Sequence, residues 1–207
     1  MKNACSRWSF LAVPVLAALG CSDPVPLPAQ GAISLQVGGP SSTCPEPGNV
    51  YPVGKLMTDP SDPTGKRKIA QAPSPTDPGQ SVVDGDSGTN VSCSVHGKGP
   101  FTFSGSIHAT SADEAKDPIT VTFSNGAVNA DKTTGTADVQ VFTPQLAGTF
   151  SSGSTPCTVT VINSQIKGGS IWATFSCPSL TQPPSGVCSS GVAPSTSTFV
   201  FENCDGS

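Results

Sequence analysis

The sequence predicts an all-β protein: an antiparallel two-sheet sandwich, with a β-barrel as the alternative, carrying long proline-rich loops and about three disulfides. Three observations lead there. Apolar residues recur with a period of two in eight separate segments, the pattern of strands buried on one face. Charged residues make up only 12% of the chain while Gly (22) and Pro (21) are abundant, which suits short strands joined by turns. No window of comparable length keeps a helical period, and two packed sheets or a barrel are the economical ways to bury such strands.

The first 20 residues read as a secretory leader. Lys2 and Arg7 give a positive start, and residues 10–19 (FLAVPVLAAL) are ten apolar residues without a charge. A membrane helix needs roughly 20, so this run is too short to span a bilayer, and it contains Pro14. Ala18-Leu19-Gly20-Cys21 then resembles the lipobox of bacterial lipoproteins, although that family usually has Leu three residues before the cysteine and here Ala18 and Leu19 stand in the opposite order. Ala18-x-Gly20 also suits an ordinary signal peptidase, which keeps a simply secreted protein as the alternative. Cutting before Cys21 leaves an odd seven cysteines; with Cys21 modified, Cys44, Cys93, Cys157, Cys177, Cys188 and Cys204 remain as an even set for three disulfides. The resemblance implies acyl chains on the thiol and amine of Cys21, hence a stable membrane anchor. Ser22 rather than Asp after the cysteine implies sorting to the outer membrane.

Residues 21–30 form a proline-rich tether, and 31–207 a single β domain with irregular stretches at 45–80 and 178–198. The expected inward-facing residues are, in order, Ile33, Leu35, Val37; Val91, Cys93, Val95; Phe101, Phe103, Ile107, Ala109; Ile119, Val121, Phe123; Ala137, Val139, Val141; Cys157, Val159, Val161; Ile171, Ala173, Phe175, Cys177; Phe199, Phe201. Cys157 and Cys177 flank a hairpin turning at Lys167-Gly168-Gly169 and are expected to pair, as are Cys188 and Cys204, which bracket the last loop. No cysteine spacing suits zinc, and no metal or cofactor is expected.

The candidate chemical groups read mostly as turns. Gly85-Asp86-Ser87-Gly88 resembles the nucleophile string of chymotrypsin-like proteases, but that mechanism needs a histidine upstream, and His96 and His108 both lie downstream. If Gly97-Lys98-Gly99-Pro100 turns a hairpin, His96 faces Thr102 and His108 faces Asn90, too far apart for one site. Asp84, Asp86 and Asn90 lack the glycine and glutamate of an EF-hand loop, whose places are taken by Thr89 and Val95. Trp172 has parity opposite to Ile171 and Ala173; it lies on the outer face as a ligand contact or under a loop.

Past the leader, eight basic residues stand against fourteen acidic ones, which argues against nucleic acid as a partner. The expected function is a non-catalytic, lipid-anchored envelope protein that meets the membrane only through Cys21. The alternatives are a carbohydrate-binding module using Trp172 with Tyr51, and a small secreted hydrolase with carboxylates drawn from Asp113, Glu114, Asp117, Asp131, Asp138, Glu202 and the loop aspartates.

Overall fold

The computed structural model describes residues 25–38, 50–109, 118–146, 148–182, 186–190 and 197–206. The expected leader, Cys21 and Cys44 lie outside them, and residues 186–190 are described by their backbone only.

The chain is all-β. Its strands are β1 (Gln30–Gly38), β2 (Val50–Val53), β3 (Leu56–Thr58), β4 (Lys68–Ala70), β5 (Val82–Val83), β6 (Asn90–Gly97) and β7 (Phe101–Ala109). They continue as β8 (Ile119–Val128), β9 (Thr134–Thr143), β10 (Gly148–Ser151), β11 (Cys157–Lys167), β12 (Ser170–Gln182), β13 (Gly186–Ser190) and β14 (Ser197–Glu202). Twelve strands join in one antiparallel sheet, and β3 with β4 makes a separate two-stranded one. In three places two strands share one position: β10 and β11 between β9 and β12, β13 and β14 between β12 and β1, and β2 and β5 beside β1.

The sheet folds over so that β6 to β9 face β12, β14 and β1, and the two layers bury one core. Phe123 meets Phe199 across it with ring centroids 4.4 Å apart, and Phe175 and Phe201 edge-on at 5.2 and 5.9 Å. The hydrogen-bond path from β13 to β6 is open, so this is not a closed barrel. The free edge of β6 is partly covered: Val95 N–H donates to Asp205 O, Asp205 N–H to Cys93 O, and Gly169 N–H to Val95 O.

Every residue assigned inward parity from the sequence is buried, apart from Cys93, which packs against the core partly buried. The outer face of β6 to β8 carries hydroxyl pairs instead, Ser94 with Ser104 and Ser106 with Thr122. Two disulfides are present among the described residues. Cys157 and Cys177 join β11 to β12 as expected, with Cα atoms 4.3 Å apart. Cys204 does not pair with Cys188; it is joined to Cys93 on β6, because the tail after β14 turns back onto that strand.

The stretches expected to be irregular hold short strands. Residues 45–80 include β2, β3 and β4, and 178–198 include the end of β12 and all of β13. Proline falls where a ladder bond is not needed or where the pairing is already interrupted. Pro52 sits in an outermost strand, and Pro178 falls where the β12–β13 register shifts between Cys177 and Leu180.

Candidate functional site

A recess forms where β11 leaves its register. Val161 pairs with Ala173 and Ile166 with Ile171, so residues 162–165 all stand opposite Trp172 alone. This is a large bulge, the irregularity by which a sheet re-aims side chains or opens beside a site. Asn163 and Ser164 in it take φ of 49° and 55°. That left-handed conformation costs a non-glycine residue about 1–2 kcal/mol, and such strain persists where the surroundings hold it.

Beside the bulge is a cleft of about 500 Å³, a volume typical of small-ligand sites. Trp172 on β12 and Val200 on β14 are register partners and make its apolar floor. Because β12 lies between β11 and β14, Lys167 and bulge residues Ser164 and Gln165 line one side and Glu202 the other. Pro78 contributes from the long segment before β5, and Lys132 from the turn between β8 and β9. Lys132 is itself held at φ 60°.

The polar groups differ in how far they are committed. Glu202 Oε2 accepts a hydrogen bond from Gln30 Nε2 at 2.7 Å. Lys132 Nζ lies 5.3 Å from the centroid of the Phe101 ring, a cation–π distance. Neither Lys132 nor Lys167 makes an ion pair among the described residues, where Arg67 with Asp59 is the pair found. The indole N–H of Trp172 is buried and has no acceptor among them, in a protein class where buried donors are almost always satisfied.

Of the residues singled out from sequence, Trp172 is in this cleft, half-buried, with Pro78 also in the lining. Tyr51 does not line this cleft: it is 4% exposed in the core, opposite Leu35, because β2 joins β1 with that parity inward. His96 pairs in register with Thr102 and His108 with Asn90, at opposite ends of the β6–β7 hairpin. His108 Nδ1 lies 2.8 Å from Thr120 Oγ1. Asp84 serves the turn, its Oδ1 accepting from Val91 N–H at 2.8 Å, and Asp86–Gly88 is a 3-10 turn. Asp138 accepts from Asn125 Nδ2 at 2.8 Å, while Asp113, Glu114 and Asp117 fall outside the described residues. Among the described residues no three His, Cys, Asp or Glu side chains gather as a metal site.

Lys132, Lys167, Ser164 and Gln165 were not picked out by sequence reasoning, whereas Glu202 was among the carboxylates weighed for a hydrolase. One signal was there: buried Val161 and Ile166 are five residues apart, an odd spacing that a regular strand cannot bury on one face. Comparison with protein families, with curated proteins and with solved structures finds no match to this chain.

Proposed function

We propose that this chain is an exported, non-catalytic protein of the cell envelope, anchored at the outer membrane through lipid on Cys21, whose β domain is a ligand-binding module. The observation that carries the binding role is the cleft at Trp172, which joins an indole, a strained bulge and two lysines without an ion pair among the described residues. Among the described residues its lining contains one carboxylate, Glu202, and no histidine or cysteine. That argues against a carboxylate pair or a histidine-based dyad at the cleft, although Ser164, Ser170 and the two lysines share it. The anchor rests on the lipobox resemblance and on the even cysteine set that remains once Cys21 is modified.

Three experiments test the proposal. Acyl labelling with fractionation should place the native protein in the membrane with label, and Cys21→Ala should lose both; label persisting in Cys21→Ala rules the anchor out. Ligand-observed NMR against small-molecule classes should find binding that Trp172→Ala abolishes. Ester, peptide and glycoside substrates should show no turnover, and a turnover lost in Glu202→Gln would make the cleft an active site instead.

A further inference from the structure

We propose that the cleft beside Trp172 takes an anionic saccharide, with the sugar ring on the indole and the acid group held by Lys132 and Lys167. The proposal rests on the binding-module reading and names the class of ligand.

Trp172 and Pro78 line the cleft with apolar groups of the kind that the C–H face of a pyranose covers, while an inorganic anion would leave them wet. Around that surface, Ser164, Gln165 and Ser170 offer hydroxyl and amide groups, which can both donate and accept, as sugar hydroxyls require. Glu202 adds an acceptor whose position Gln30 fixes. The cations select for charge. The chain is acidic, with 10 Lys and Arg against 14 Asp and Glu, yet two lysines without an ion pair among the described residues line this one cleft. Lys132 is further placed by its turn and by Phe101, which reduces the side-chain freedom that binding would have to remove. A neutral sugar would satisfy the floor and hydroxyls but leave both ammonium groups without a counter-charge.

Isothermal titration of the full chain tests this with oligomers of galacturonate, glucuronate and mannuronate, the neutral galactose, glucose and mannose oligomers of equal length, and inorganic phosphate. At least one acidic oligomer should bind ten times more tightly than its neutral counterpart. Lys132→Gln and Lys167→Gln, both surface changes, should each weaken it about tenfold, the scale of a hydrogen bond to a charged group. Trp172→Phe should weaken acidic and neutral oligomers alike. Equal binding of neutral and acidic oligomers, with no effect of the lysine changes, overturns the inference and leaves the binding-module reading standing. Phosphate binding as tightly as the oligomers, indifferent to Trp172→Phe, overturns it in favour of a bare anion site. No binding of any probe by protein with native disulfides overturns it too, and the broader ligand panel then decides the binding-module reading separately.

Discussion

Gly105 is a position where one added carbon has a calculable consequence. A Cβ there would lie 2.6 Å from Cζ of Phe201, whose ring is already in contact with Phe123 and Phe199 and has no room to retreat. Gly105→Ala should therefore destabilise the domain by about 1–3 kcal/mol, the usual cost of overpacking, as a lowered urea midpoint would show. Asp62 makes a different kind of prediction. Its carboxyl is held down to about 2, first by the backbone N–H of Arg67 and then by the backbone and hydroxyl of Thr64, with Lys66 N–H also donating. A carboxylate whose pKa is depressed on folding stabilises the native state above its unfolded value, near 4, and the contribution disappears as pH falls toward 2. The loop joining β3 to β4 should open in that acid window, and Asp62→Asn should open it at neutral pH. Amide exchange at Lys66 and Arg67 reports both, and protection unchanged in Asp62→Asn would contradict the assignment.

At the scale of the element, the bulge in β11 is the feature on which the cleft depends. Deleting residues 163–165 would bring Ile166 next to Ile162 and restore an uninterrupted ladder opposite Ile171, with inward parity preserved on both sides. The shortened protein should fold, keep Cys157 joined to Cys177, and lose ligand binding completely. Asn163→Gly, in the bulge but not in the cleft lining, should act in the opposite sense: glycine takes a φ of 49° without the steric penalty, so stability should hold or rise by up to about 1 kcal/mol with binding intact. Thermal denaturation with titration of the same samples distinguishes these outcomes.

At the scale of the whole molecule, the two disulfides do unequal work. Cys157–Cys177 closes a 20-residue separation between adjacent strands, whereas Cys93–Cys204 spans 111 residues and ties the edge of one layer to the end of the chain. In the chain-entropy treatment these are worth about 3 and nearly 5 kcal/mol, a large share of a typical domain stability of roughly 5–15. The double replacement of Cys93 and Cys204 by Ala should accordingly lower stability more than that of Cys157 and Cys177. Cys44 and Cys188 are the two left over. Mass spectrometry under non-reducing conditions should find neither as a free thiol, and two or more reduced cysteines among the six would contradict the even set.

By itself the sequence determined the all-β class, the inward residues of eight strands, the β6–β7 register and the Cys157–Cys177 pairing, because each depends on local period or on a tight turn. A period of two survives whatever a strand pairs with, and a hairpin brings its own ends together. Only the tertiary structure decided what was distant. It put Cys93 against Cys204, sent Tyr51 into the core by choosing which strand β2 joins, and set Lys132, Lys167 and Glu202 around Trp172 from three different parts of the chain. No local pattern carries those meetings. They follow from how the folded sheet buries its two faces together, which depends on all the strands at once.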